Sequence, residues 1–241
     1  LGHDVLRLDL GLHRANDCLL HVTLRNGFWT VDTAGAELGA LRGETAAALE
    51  LRLTAVCLAL QGLPTVTPVQ FTRDPQAAQA LWNVRKGIFP AIGAMRPVGT
   101  TVIIEDVAFP IEQLAAATID LQRLLRDFGY AEAVVYGHAL DGNLHFVFTQ
   151  DFGRAEEVDR YRRLMEAVCE LVVQRYDGSL KAEHGTGRNM APFVEREWGA
   201  QATGVMRRIK ALFDPQGLLN PGVILNPDPQ VHLKNLKPLP A

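Results

Sequence analysis

Two of the chain's seven histidines flank a single turn signal. In the segment YGHALDGNLHFVF, residues 136–148, the pair Asp141-Gly142 suits a two-residue type I′ turn, whose central residues both need positive φ. With that pair as the turn, Leu140 faces Asn143, Ala139 faces Leu144 and His138 faces His145. Directly opposed side chains share one face of a hairpin, with Cβ atoms about 4.5–5.5 Å apart. That separation suits two imidazoles on one metal ion at roughly 2.1 Å each. Strand alternation puts Leu144, Phe146 and Phe148 on an apolar face, and His145, Val147 and Thr149 on a second, more polar layer. On spacing alone, two ordinary histidines beside a turn is an equally good reading. Asn143 either orients a neighbouring ligand or simply flanks the turn.

A third ligand is available in AEHGTGRN, residues 182–189, where Glu183 and His184 stand beside Gly185 and Gly187. Glycines permit close backbone approach to a ligand. In an extended Glu-His pair the side chains face opposite ways, so Glu183 can bind metal while His184 addresses a substrate. Two histidines and one glutamate leave coordination positions open, as a catalytic rather than a structural site requires. A capped turn before a helix is the alternative reading of the segment.

The elements that must position these groups follow from periodicity and turn chemistry. Residues 18–32 read as two short strands around an Arg25-Asn26-Gly27 turn. Residues 44–61 read as a helix with Leu49, Leu53, Val56 and Leu60 on one face, and 66–72 as a strand. Asp74 caps and Pro75 starts a helix running to about residue 94. A strand over 100–109 is closed by Pro110. A helix over 110–128 carries Ile111, Leu114, Thr118, Leu121, Leu125 and Phe128 on one stripe and stops at Gly129. A hairpin spans 131–150, and 154–176 is a helix on Val158, Tyr161, Met165, Val168 and Val172. A short strand near 180–184 and helices near 189–198 and 200–212 complete the set. Helices and strands mix without strict βαβ order and one pair is a hairpin, which predicts an α+β fold: an antiparallel sheet with helices mainly on one face.

Composition narrows the function classes. The chain has 241 residues, a net charge of −3 and 48% hydrophobic residues, enough for a sizeable core and unlike a general polyanion binder. No nucleic-acid partner is expected. No run approaches the ~20 apolar residues of a membrane span, and the start LGHDVLRLDL lacks a signal-peptide layout. The three cysteines include no CxxC pair, which argues against a disulfide framework or an iron–sulfur cluster, and Cys57 and Cys169 read as buried, inert thiols. Residue 1 is Leu and the first Met is Met95, which predicts that the chain is part of something larger.

Three separated motifs, GHALDGNLH (137–145), AEHGTGRN (182–189) and FDPQGLLNPG (213–222), occur in an order that resembles the C-terminal domain of FAD-linked oxidases of the vanillyl-alcohol-oxidase type. The resemblance runs from about residue 65 to 225 and is strongest to the D-lactate, glycolate and D-2-hydroxyglutarate dehydrogenases. It implies a ferredoxin-like cap domain over residues 1–222. It also implies that 223–241 form an extended, proline-rich tail or linker, and that the FAD-binding domain belongs to the same parent protein but lies outside this chain. The stretch LNPDPQVHLKNLKPLP resembles the joint that precedes a downstream iron–sulfur domain in long members.

Carried over by position, the resemblance makes His138, His145 and Glu183 ligands of a divalent metal (Zn, Mn or Fe) and His184 the catalytic base. Arg85 in LWNVRKG becomes the substrate-carboxylate residue, and Asn220 in LNPG lies near the flavin. The implied reaction is oxidation of a small 2-hydroxy acid. Arg85 holds the carboxylate, the metal acidifies the hydroxyl, His184 takes its proton, and the C2 hydride passes to FAD. The isolated chain should then be inactive. The implied location is cytoplasmic, with contact to a membrane through an electron acceptor as the variant. The sequence departs from the hydroxyglutarate type at Ile104, where those members have Lys, and at Val147, where they have Asn. Two rival readings use the same residues: a metal-dependent hydrolase activating a bound water, and a non-catalytic domain whose hairpin site is structural.

Overall fold

The computed structural model describes residues 17–23, 36–42, 45–61, 70–185 and 187–238, with the backbone alone for the first two segments and for positions 70, 81, 84, 85 and 88. The chain divides into two compact units, Leu1–Ala94 and Met95–Ala241.

In the first unit, β1 (Asp17–Thr23) lies between β2 (Ala36–Arg42) and β3 (Gln70–Thr72) in a three-stranded antiparallel sheet. Cys18 stands opposite Leu41 and Leu20 opposite Phe71. The Arg25-Asn26-Gly27 turn and the strand expected at 28–32 lie outside the described residues. The strand in register with β1 is Ala36–Arg42, whose AELGALR sequence has no β-branched or aromatic residue to announce it. Helix α1 (Ala46–Leu60) starts where Thr45 Oγ1 accepts the Ala48 N–H at 3.1 Å. It buries Leu49 and Val56 with Leu53, Leu60 and Phe71 packed against them, the expected stripe. Cys57 falls outside that stripe and is exposed, against expectation, whereas Cys169 is buried. Helix α2 (Pro75–Met95) is capped by the Asp74 carboxylate, which accepts the N–H groups of Gln76 and Ala77 at 3.1 and 3.2 Å.

The second unit is built on β4 (Thr101–Ala108), β5 (Val134–His138) and β6 (Asn143–Gln150), antiparallel in the order β4-β6-β5. As the central strand, β6 is covered on both faces, so Asn143 through Phe148 are all buried. Helix α3 (Leu114–Asp127) buries Leu114, Thr118, Leu121 and Leu125. Helix α4 (Ala155–Cys169) buries Tyr161, Met165 and Val168, and the Tyr161 ring centroid lies 6.4 Å from that of Phe148. The fold is α+β with antiparallel strands, as expected, although the strands form two small sheets, one in each unit.

After α4 and a π-helical turn at Glu170–Arg175, the strand expected near 180–184 reduces to a single bridge between Ser179 and Ala108. Residues 181–185 are irregular. They lead into α5 (Gly187–Met190) and α6 (Val194–Phe213). Gly199, at φ 75° and ψ 164°, breaks α6 close to the boundary expected between two helices. A 3-10 turn at Val231–Leu233 buries His232 against the rings of Tyr161 and Phe193. No described helix is long and apolar enough to cross a membrane.

Candidate functional site

The β5–β6 hairpin sets the first two histidines. Its register pairs Tyr136 with His145, Gly137 with Leu144 and His138 with Asn143. His138 is therefore not directly opposite His145, because the connection is Ala139–Gly142 rather than the Asp-Gly pair alone. Ala139–Asp141 form a 3-10 turn, and Gly142 closes it at φ +65°. Tertiary contact holds this longer turn in place: the Gly142 carbonyl accepts the Phe109 N–H at 2.9 Å. A Cβ on Gly142 would lie 2.0 Å from the Phe109 carbonyl oxygen. The register differs from expectation by two residues, and a shift of two preserves side-chain parity. His138 and His145 thus stay on one face as a diagonal pair, with ring centroids 5.5 Å apart and planes at 88°.

The third group arrives from the loop after Ser179. Glu183 Oε1 lies 3.2 Å from His138 Nε2 and 2.9 Å from His145 Nε2. His184 Nε2 is 3.9 Å from the same oxygen, and its ring stacks on that of His145 at 4.6 Å and 13°. Side chains of an extended Glu183-His184 pair would diverge; here both converge. The loop is not extended, because the N–H groups of Ala182, Glu183 and His184 all donate to Asp106 Oδ2, at 2.9, 2.7 and 2.9 Å. Successive N–H groups turned onto one anion form a nest.

Asp106 is fully buried on β4, directly opposite His145. Its Oδ1 accepts the Asn143 amide at 2.5 Å and lies 3.2 Å from His145 Nδ1, out of line for a hydrogen bond, so Nδ1 has no hydrogen-bond partner among the described residues. Burial pushes the Asp106 carboxyl up, but the three backbone N–H groups and the Asn143 amide outweigh it and hold the pKa below the usual carboxylate range. Burial pushes the His145 pKa down in spite of Asp106, which favours the neutral imidazole that metal ligation needs.

Asp106, His145, Glu183 and His184 each present a ligand-type atom, all within 4.8 Å of one another. Ligand atoms about 2.1 Å from a shared ion lie roughly 3.0 Å apart at right angles and 3.4 Å apart in a tetrahedron. The 2.9 and 3.2 Å separations of His145 and His138 from Glu183 each match one ligand pair near the right-angle limit, but His138 is not a member of the group whose atoms all lie within 4.8 Å of one another. Asp106 is already committed to backbone and amide donors. Exposure rises from the buried His145 through His138 to Glu183 and His184, so the cluster has a closed wall and an open side.

The opposite face of β4 carries a second polar network. Glu105 accepts Lys181 Nζ at 2.7 Å and the Asn189 amide, and Asn189 Oδ1 accepts the Tyr161 hydroxyl at 2.6 Å. Burial raises the Glu105 pKa, and Lys181 opposes that rise without cancelling it. Ile104 and Val147, the two departures from the hydroxyglutarate type, face each other across β4 and β6 on the His145 face. Together they make an apolar pair beside the cluster.

Of the other residues singled out in the sequence, Arg85 lies on α2 in the first unit, with its side chain outside the described part. Asn220 is exposed at φ 41° on the loop after α6, and no hydrogen bond or ion pair among the described residues joins it to the cluster. That loop is held by Asp214, which accepts Lys210 Nζ at 2.6 Å and the Leu218 and Leu219 N–H groups at 2.8 Å each. Led by the Lys210 bond, these contacts pull the Asp214 pKa down to about 2. Sequence reasoning missed Asp106, Glu105 and Lys181. A signal existed: two adjacent acids in the otherwise apolar strand TVIIEDVA must each find donors on opposite faces of the sheet.

A model of the family described as FAD linked oxidases, C-terminal domain, matches residues 15–224. The glycolate oxidase subunit GlcD of Bacillus subtilis is 29% identical over 160 residues, covering 66% of this chain and 33% of that protein. The mitochondrial D-lactate dehydrogenase [cytochrome] of Arabidopsis thaliana is 32% identical over 157 residues, 65% of this chain and 27% of that protein. A D-2-hydroxyglutarate dehydrogenase of Xanthomonas citri pv. viticola is 36% identical over 152 residues, 62% of this chain and 31% of that protein. The chain therefore spans about a third or less of the length of these relatives.

Proposed function

Because the chain belongs to the family of FAD-linked oxidase C-terminal domains, we propose that it is the substrate- and metal-binding part of a flavin-dependent 2-hydroxy-acid dehydrogenase. The observation that carries this reading is the convergence of His138 Nε2 and His145 Nε2 on Glu183 Oε1. These three residues would hold the divalent cation. Two imidazoles and one carboxylate suit Zn, Mn or Fe(II) better than Ca or Mg.

FAD, bound by another domain of the parent protein, supplies the two-electron oxidant, and the cation supplies a Lewis acid. His184, exposed and stacked on His145, accepts the proton of the substrate hydroxyl at its ring nitrogen. Arg85 takes the substrate carboxylate as a bidentate partner and Asn220 faces the flavin, both on the strength of their motifs. The apolar Ile104–Val147 pair offers neither a cation nor an amide for a second carboxylate. The substrate is accordingly a small monocarboxylate of the lactate or glycolate kind rather than hydroxyglutarate.

Two measurements test this. Calorimetric titration of the intact protein with zinc or manganese near neutral pH should show one site, lost in His145→Ala; equal binding by both removes the metal from the scheme. Oxidation of D-lactate, glycolate and D-2-hydroxyglutarate is then followed with a dye acceptor, before and after chelation. Activity should favour a monocarboxylate and fall on chelation, and turnover without any flavin would refute the dehydrogenase reading.

A further inference from the structure

We propose that Asp106 is the positioning residue of this centre: one buried carboxylate that fixes both the loop carrying Glu183 and His184 and the strand face carrying His145. The inference rests on the metal-binding reading above, and goes beyond it by assigning a role to a residue outside the ligand set.

The geometry separates the two oxygens of Asp106 by task. Oδ2 collects the N–H groups of Ala182, Glu183 and His184 at 2.7–2.9 Å. No regular secondary structure holds these residues, so the nest is what fixes their backbone. Two consecutive side chains, Glu183 and His184, thereby reach the same point instead of diverging. Oδ1 takes the Asn143 amide at 2.5 Å and stands 3.2 Å from His145 Nδ1, on the far side of the ring from the Nε2 that faces Glu183. A negative charge behind an imidazole favours the tautomer with its proton on Nδ1 and the lone pair on Nε2, and makes Nε2 the better donor to a cation. Asn143 sits opposite His138, so the same carboxylate is tied to the strand pair that presents the third ligand.

Asp106 lies within ligand distance of the cluster. It acts as a positioning group because its lone pairs already serve the backbone nest and an amide, and because it has no exposure to solvent.

The test is titration of the intact protein with Co2+, read by calorimetry and by the cobalt ligand-field absorption. Wild type is compared with Asp106→Asn, Asp106→Glu and His145→Ala. A positioning role predicts that Asp106→Asn still binds one cobalt, with affinity about 10- to 100-fold weaker and a shifted absorption band. Asp106→Glu keeps the charge but displaces it by one methylene, and should shift the band with a smaller loss of affinity. This variant decides the matter if the Asn variant does not fold. Wild-type affinity and spectrum in both Asp106 variants, with binding lost in His145→Ala, overturns the positioning role and leaves the metal centre standing. Complete loss in Asp106→Asn, matching His145→Ala in a folded protein, makes Asp106 a ligand and also overturns it. No cobalt binding by wild type removes the metal reading and this inference together.

Discussion

Lys181→Met should destabilise the second unit in a pH-dependent way. Glu105 is 2% exposed, and the Lys181 side chain 13%, so the 2.7 Å pair lies largely out of water. Methionine keeps most of the apolar stem and deletes the charge, leaving Glu105 with the Asn189 amide. Removing one partner of a buried pair costs about 3–5 kcal/mol. The residual hydration of Lys181 puts this case near about 3 kcal/mol, or a fall in Tm of roughly 6–12 °C for a unit of this size. The sign of the pH effect follows from the shift. Burial holds the folded-state pKa of Glu105 above 4.5, and loss of Lys181 raises it further. A carboxyl with a raised folded-state pKa contributes stability below its unfolded value, and that contribution is lost as pH rises through the folded value. The gap between variant and wild type should therefore be small where Glu105 is protonated in both, and open as pH rises through the folded-state pKa of Glu105. Thermal unfolding followed by circular dichroism across that pH range measures it. The double variant Glu105→Gln/Lys181→Met, with no buried charge, should recover most of the loss. A gap that does not change with pH, or a double variant no better than the single, would refute an ionised Glu105 held by Lys181.

Gly142→Ala places a Cβ 2.0 Å from the Phe109 carbonyl oxygen in a left-handed residue, and should cost at least about 2 kcal/mol. Because Gly142 closes the turn that sets the His138 register, zinc binding should weaken with it; unchanged melting and titration curves would contradict that link. His232 is buried, neither ring nitrogen has a hydrogen-bond partner among the described residues, and burial holds its pKa below 6.5. The contribution of its neutral, packed ring is present above pH 6.5 and lost as pH falls below it, when the unfolded chain takes up a proton. His232→Phe should flatten the loss of stability between pH 7 and 5, and hydrogen exchange at Val231–Leu233 should show the same difference.

Much of the fold could be read from local chemistry. Asp74 marks a helix start because side-chain caps act over three residues or fewer. The stripe Leu49, Leu53, Val56 and Leu60 marks a buried face because helical periodicity is local too. The shared face of His138 and His145 was legible for a related reason: parity along a strand survives any register error of two, so the histidines stayed together although the predicted turn was wrong. The rest depended on tertiary contacts. The four-residue turn is held by Phe109 at the end of another strand, a contact that no dipeptide preference encodes. Strand β2 carries no local β signal and is a strand because β1 pairs with it. The convergence of Glu183 and His184 is decided by Asp106, more than seventy residues earlier in the chain. A buried carboxylate must recruit donors from wherever the fold brings them, and only the folded backbone turns three consecutive N–H groups toward it.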